Sequence, residues 1–468
     1  METNNQLNLF DRFNLWLKES VSVKLASIGF LILILLIPNS WIQDLMQERQ
    51  QRADEVMLEV TQKWSESQTI SGPILVLPYT HTEEIKYADG EVRIKQSNVN
   101  AYFLPLELNI DGQVTPETLS RGMFDVAVYN ATLKINAKFD YPDYTSLGIS
   151  EDQVNWNEAY LVSGISDLKG INNSPLLTSG EIALQTEPAN NIGILLPDYS
   201  HKINEYSGEK LEKANGSRKG IKSRLNWGTK NDFKSDIVFN LDLKGSNRLS
   251  FVPIGKTTKV HLTGPWNNPS FDGEFLPESR EISDTEFTAT WKVLHFNRAF
   301  DQVWTGDDME LSNSSFGVKL LVPVDQYQKS IRSSKYSILI ILLTFVSLFL
   351  VEIISKIRIH PFQYILIGAA LIIYYTLLIS LSEYIGYNTA YWIATALTVG
   401  LLAFYSKSFM PKAKLAYLFS LIVLLSYFFI FIIIIQQDLS LLIGSIGLFI
   451  VTGLIMYFSR KINWYGEG

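Results

Sequence analysis

Six stretches of this chain are long and apolar enough to demand lipid around them: Leu25–Ile42, Tyr336–Ile354, Tyr364–Leu381, Ala390–Tyr405, Ala416–Ile435 and Leu441–Phe458. Crossing a bilayer takes roughly 20 mostly apolar residues, because only a helix satisfies its own backbone where water is absent. Interfacial aromatics flank the stretches, with Trp16, Trp41, Tyr336, Tyr391, Trp392, Tyr457 and Trp464 at or near their edges. The first span reads as an uncleaved anchor rather than a signal peptide. Its apolar core is long, and Pro38-Asn39-Ser40-Trp41 is not the small-x-small pattern of a cleavage site.

Charge divides the chain in two. Residues 43–335 carry thirty basic and forty acidic side chains, a soluble and mildly acidic composition. That acidity argues against nucleic acid as a partner. Cysteine is absent, which excludes disulfides, thiolate metal sites and a cysteine nucleophile. Basic residues of the short loops set the orientation. Arg12, Lys18 and Lys24 precede span one; Lys356 and Arg358 separate spans two and three; Lys407, Lys412 and Lys414 separate four and five; Arg460 and Lys461 follow six. Loops 382–389 and 436–440 hold neither Lys nor Arg. The alternation predicts both termini in the cytoplasm and residues 43–335 exported. Lys329, Arg332 and Lys335, just before span two, oppose it. Attached to a long translocated domain, they weigh less than the short loops.

Beyond the first span, Leu45–Trp64 has the pattern of an amphipathic stalk helix. Ala53, Val56, Val60 and Trp64 recur at helical spacing, Glu48 and Arg52 sit one turn apart, and Ser71-Gly72-Pro73 marks a stop. The rest alternates with a period of two, as in Leu133, Ile135, Ala137 and Phe139, or Ile237, Phe239, Leu241 and Leu243, or Val260 and Leu262. Turn signals fall at Asp89-Gly90, Asp111-Gly112, Gly245-Ser246-Asn247 and Asp272-Gly273. Sandwich-like antiparallel sheet is the expected architecture. Residues 202–234 hold nine basic and four acidic side chains. They read as a solvated insertion loop, with contact to anionic lipid or wall polymer as the functional alternative.

Chemistry-bearing motifs are few. His81, His201, His261, His295 and His360 show no metal-ligand spacing. Gly164-Ile165-Ser166 lacks the closing glycine of a nucleophile elbow, and Gly255-Lys256-Thr257 lacks the first glycine of a phosphate loop. A strand-turn-strand connection is the plainer account of the latter. Asp307-Asp308 and Glu278/Glu281 are acid pairs of a kind common in turns. No cofactor and no catalytic residue is assigned. In the membrane, charge is costly and usually meaningful. Glu352 lies near one end of span two, where Lys356 is one helical turn on and suited to pair with it. Glu383 lies at the far end of span three, in an interfacial position.

Several runs resemble one family. They are Gln47-Glu48-Arg49-Gln50-Gln51-Arg52, Ser71 through Tyr79, Arg121-Gly122-Met123-Phe124, Pro269 through Pro277, Pro323-Val324-Asp325-Gln326-Tyr327, Ile359-His360-Pro361-Phe362-Gln363-Tyr364 and Leu378 through Glu383. Through them the chain resembles the CreD family of bacterial inner-membrane proteins. The resemblance implies a role in envelope integrity and stress response, with no catalytic motif to carry over. The exported side is then the periplasm. The organisation becomes a cytoplasmic N-terminus (1–24), a membrane helix (25–42), a stalk helix (43–66), a periplasmic β-rich domain (67–335), a five-helix membrane domain (336–458) and a cytoplasmic C-terminus (459–468).

The expected function is non-enzymatic: the exported β domain contacts a cell-wall or envelope component, and the bundle in the lipid bilayer anchors or transmits that contact. Glu352, Lys356, Glu383, His360, Arg49 and Arg52 are the candidate functional residues. Arg49 and Arg52, close to the outer lipid surface, suit anionic headgroups or plain helix solubility equally. Two alternatives stay open. A transporter or channel for an envelope component would use Glu352 and Glu383 to line a path. A cell-wall enzyme would hold two carboxylates about 5–9 Å apart in a cleft.

Overall fold

A computed structural model of the chain describes all residues except 1–20, 87–91, 122–123, 197–216, 308, 312–313, 321–324, 356, 437–438 and 461–468. The chain divides into two compact units: a helical unit of residues 1–52 and 323–468, and a β unit of residues 53–322.

The helical unit is built from α1 (Val21–Trp64) as far as Arg52, α2 (Asp325–Lys335), α3 (Ser337–Ile354), α4 (Pro361–Ile385), α5 (Tyr387–Phe409), α6 (Ala413–Ile435) and α7 (Ser440–Ser459). Among the described residues five helices, α1 and α3–α6, are long and apolar enough to cross a membrane; in α7 the apolar stretch Leu441–Tyr457 is shorter. Helix α4 packs on α3 and α5, and α6 packs on α3, α5 and α7. The short α2, in the stretch expected to be β-rich, turns Tyr327, Ser330, Ser333 and Ser334 inward; small hydroxyls there allow close approach.

Helix α1 is one unbroken element of 44 residues with Pro38 inside it. Proline removes one backbone donor and frees a carbonyl, a defect that helix neighbours tolerate in membrane bundles. Its buried face repeats at intervals of three and four: Ile28, Leu35, Asn39, Ile42 and Met46 are all at most 8% exposed, and Ile32 packs on the same core. Such a stripe is the seam of a helix lying along a bundle. Gly368 of α4 makes the closest approach possible. A Cβ there would stand 2.3 Å from Leu35 Cδ1 and 3.2 Å from Phe345 Cζ.

Two large sheets, a two-stranded parallel pair of Ile194–Leu195 with Met309–Glu310, and one shared apolar core form the β unit. The first sheet runs in the order Pro269–Gly273, Phe316–Leu320, Arg248–Phe251, Gln68–Lys86, Tyr160–Ile165, Gly220–Arg224, Thr186–Ala189, and Val92–Phe103 folds back along Gln68–Lys86 and pairs with Val303–Thr305. The second runs Ser279–Ile282, Phe287–Leu294, Thr257–Gly264, Glu107–Arg121, Phe124–Lys138, Asp236–Ser246, Leu176–Ser179, Ile182–Leu184. The three alternating runs of the sequence are strands here, with Leu133, Ile135, Phe239, Leu241, Val260 and Leu262 buried. Most pairings are antiparallel, as expected, but Gln68–Ile70 pairs parallel with Leu249–Phe251, Glu107–Gln113 with Thr257–Thr263, and Ile194–Leu195 with Met309–Glu310.

Three local expectations also change. Asp111-Gly112 is no turn but lies mid-strand, because Leu133 and Leu262 fill the space where a Gly112 Cβ would stand, at 2.7 and 2.6 Å. Ser71-Gly72-Pro73 is not the boundary of the stalk helix but a bulge inside strand Gln68–Lys86. There Gly72 has φ +127° and lies against Ser163. Of the basic segment 202–234, residues 202–216 lie outside the described residues. Its later part is not a solvated loop: Gly220–Arg224 is a strand between two others, with Ile221, Ser223, Leu225 and Trp227 buried. Lys222 extends over the Tyr160 ring, 3.5 Å from its centroid. Gly255-Lys256-Thr257 is the connection into strand Thr257–Gly264, where the Gly255 N–H donates to Thr258 Oγ1 at 3.0 Å.

The Gly368–Leu35 approach is a direct check on how α1 docks. Gly368→Ile should cost about 1–3 kcal/mol through overpacking, read as a lower Tm of the full chain in lipid nanodiscs. Adding Leu35→Ala should return most of the loss; equal loss with and without it would show that the two residues do not meet.

Candidate functional site

Two carboxylates sit at opposite ends of the α3–α4 pair, and α1 brings a cation to each. Glu352, near the C-terminus of α3, is 2% exposed. Its Oε1 accepts from Lys24 Nζ of α1 and from the Ile359 backbone N–H at 2.7 Å. Its Oε2 accepts from the Tyr364 hydroxyl of α4 at 3.0 Å. One side chain thereby joins α1, α3, the α3–α4 connection and α4. A buried ionised carboxylate needs this full set of partners, because an unpaired charge there is prohibitive.

The same connection is set by a helix cap. His360 precedes Pro361, the first residue of α4; its Nδ1 accepts from the Phe362 N–H at 3.2 Å, and Gln363 Oε1 accepts from the His360 N–H at 2.9 Å. This reciprocal capping with proline at the first position fixes where α4 begins. His360 is exposed, so its described role is to cap the helix beside Glu352.

At the other end, Glu383 Oε1 accepts from the Tyr327 hydroxyl of α2 at 3.2 Å, with Arg49 Nε of α1 at 4.0 Å. Burial pushes the Tyr327 hydroxyl well above its ordinary range, and the Glu383 charge adds to the rise. The phenol therefore stays protonated and remains a donor. Arg49 is half exposed, so its pairing is worth at most about 1 kcal/mol. Lys24 and Arg49 are 25 residues apart, about 37 Å of helix, against a hydrocarbon thickness of about 30 Å. The two contacts thus bracket a bilayer-sized length of α1.

The candidate residues are accordingly distributed as follows. Glu352, Glu383, Arg49 and His360 lie at the two ends of α4. Arg52 stands exposed three residues beyond Arg49. Lys356, the expected partner of Glu352, lies outside the described residues. Lys24, Tyr364 and Tyr327 complete the sites and were missed. Lys24 reads only as a topology signal, and nothing in sequence spacing brings it to Glu352. In the β unit, His81 and His261 are exposed, His295 lies against Phe296, and His201 is outside the described residues. Among the described residues no three His, Asp or Glu gather as metal ligands. Asp307 accepts from the Tyr102 hydroxyl at 2.7 Å and from Asn100 Nδ2 at 3.0 Å, while Asp308 is not described. Glu278 and Glu281 are exposed, the latter in an edge strand.

The sequence profile of the family described as inner membrane protein CreD matches residues 20–465. The chain belongs to the CreD family. A relative, inner membrane protein CreD of Escherichia coli (strain K12), is 29% identical over 451 residues, covering 96% of this chain and 95% of the relative. The CreD match takes in α1, both carboxylate sites and the whole β unit. It therefore covers an inner-membrane, multi-pass chain without dividing its two units.

The Glu352 contact should behave as one coupled group. Lys24→Met, which leaves the carboxylate buried without its cation, should destabilise by about 3 kcal/mol. Tyr364→Phe should cost about 1 kcal/mol. The pair Lys24→Met with Glu352→Gln should recover stability relative to Lys24→Met alone. A double-mutant cycle on thermal unfolding in lipid reads the coupling, and strict additivity would deny the contact.

Proposed function

We propose that this CreD-family protein is a non-enzymatic envelope-integrity and stress-response protein. In this reading the β unit is exported to the periplasm and contacts a cell-wall or envelope component, while the bundle anchors that contact in the inner membrane. Both termini are cytoplasmic, as the basic residues of the short loops direct.

One observation carries the reading. Lys24 and Arg49, the cations that meet Glu352 and Glu383, both belong to α1. Removing α1 as a cleaved leader would leave a buried carboxylate in lipid without its cation, a state that is strongly disfavoured. An anchor retained in this way keeps the β unit tied to the membrane on both its flanks, since the chain enters it at residue 53 and leaves it at 322. Support for a non-catalytic role comes from the acid pairs: Asp307 is occupied by Tyr102 and Asn100, and Glu278 and Glu281 stand on the surface. Both membrane carboxylates, the lining expected of a transport path, are engaged in contacts between helices.

Topology and contact are tested together in intact cells. Protease admitted to the periplasm should cut within the β unit, and an N-terminal epitope should stay with the full-length chain in the membrane. A photo-crosslinker on exposed strand Ser279–Ile282 should capture wall polymer or another envelope component. Protection of the β unit until the inner membrane is broken would overturn the orientation. A correctly exported β unit that captures nothing would overturn the contact alone.

A further inference from the structure

The middle of the bundle holds a polar cluster that neither carboxylate explains. Tyr374 and Tyr375 of α4, Tyr427 of α6 and Thr395 of α5 are each at most 1% exposed. Their rings converge: Tyr374 lies 4.9 Å from Tyr375 and 4.5 Å from Tyr427 between centroids. Yet none of these four hydroxyls makes a hydrogen bond within the chain. The Tyr374 hydroxyl has those of Thr395 and Tyr391 as its polar neighbours. By contrast, the neighbouring Tyr391 hydroxyl is satisfied, donating to the Tyr427 carbonyl at 2.7 Å.

Depth makes the cluster unusual. Tyr374 lies ten residues after Tyr364 and nine before Glu383, about 15 and 14 Å of helix rise from the two ends. Hydrocarbon surrounds the bundle at that level, so bulk water cannot satisfy these groups from outside. A tyrosine hydroxyl both donates and accepts, and leaving it unpaired in a dry core is costly. One orphan hydroxyl is tolerable; four from three helices, on residues gathered around Tyr374, call for a partner from outside the chain. The segments supplying them carry no charge between Tyr364 and Ser382, between Tyr387 and Ser406, or between Leu415 and Ile435. The partner is therefore neutral.

We propose that Tyr374, Tyr375, Tyr427 and Thr395 line an internal hydration site at mid-depth of the bundle, occupied by water. A buried water makes two to four hydrogen bonds to groups left unsatisfied by the protein. Four hydroxyls able to donate or accept meet that requirement without a charged neighbour. The site is independent of which way the chain threads the membrane, so its failure would leave the proposed orientation and envelope contact standing.

The test uses the full chain in lipid nanodiscs, exposed to X-ray pulses in 18O-labelled water and read residue by residue by mass spectrometry. Hydroxyl radicals form where water is bound, so Tyr374, Tyr375 and Tyr427 should be labelled several-fold faster than Phe419, which is equally buried among apolar side chains. Labelling at the Phe419 rate would overturn the proposal. A second arm uses Tyr374→Phe with Tyr427→Phe, which keeps the rings and deletes two hydroxyls. Labelling at Tyr375 should fall and the Tm should drop by several degrees. An unchanged or raised Tm would show that the hydroxyls stand dry and unpaired, and labelling that persists in the variant would remove them as the groups that hold the water.

Discussion

A carboxylate in hydrocarbon has to find a cation and hydrogen-bond donors together, and that requirement organises the helical unit. Glu352 collects Lys24, Tyr364 and the Ile359 N–H. To reach it, α1 must lie along α3 and α4 in one register. The apolar seam of Ile28, Leu35, Ile42 and Met46 supplies the contact area, and Gly368 supplies the gap into which Leu35 fits. Greasy surface alone would let α1 slide, because lipid tails solvate leucine as well as a neighbouring helix does. The ion pair at one end, and the Arg49–Glu383–Tyr327 contact at the other, fix the register that the seam leaves loose.

The two ends are unequal in strength for a physical reason. Lys24 meets a carboxylate that is almost wholly buried, where an attraction is screened little. Arg49 is half exposed and stands at 4.0 Å, where solvent and headgroups weaken it. Glu383 leans instead on the Tyr327 phenol, which burial keeps protonated. The Glu352 end is thus the stronger tie, and the Glu383 end the one more exposed to screening by salt and headgroups.

Much of the fold was legible because lipid and sheet impose strict periods. The apolar lengths gave α1 and α3–α7, and alternation at 133–139 and 237–243 gave two central strands. What failed was local punctuation. Asp111-Gly112 has the composition of a turn, but its glycine is there to admit Leu133 and Leu262 from neighbouring strands, a tertiary demand that no local pattern carries. Likewise Ile221, Ser223 and Leu225 alternate inward between lysines and arginines, and the charges hid a central strand. At the site, the carboxylates were visible as rare acids in greasy spans, whereas Lys24 is 328 residues from its partner. Sequence distance of that size leaves no trace in spacing.

The tyrosines were invisible for a different reason: each belongs to an apolar span and reads as ordinary packing. Only the fold shows that the buried rings of Tyr374, Tyr375 and Tyr427 meet between helices that carry no charge at that depth. This separates two kinds of polarity in the bundle. Ionised groups sit at its two ends, are paired, and hold helices in position. The hydroxyls of Tyr374, Tyr375, Tyr427 and Thr395 sit in its middle and find no hydrogen-bond partner in the chain. The two kinds differ in what it costs to open them. Displacing a neutral guest from hydroxyls exchanges one set of hydrogen bonds for another, whereas opening the first kind means separating a buried ion pair.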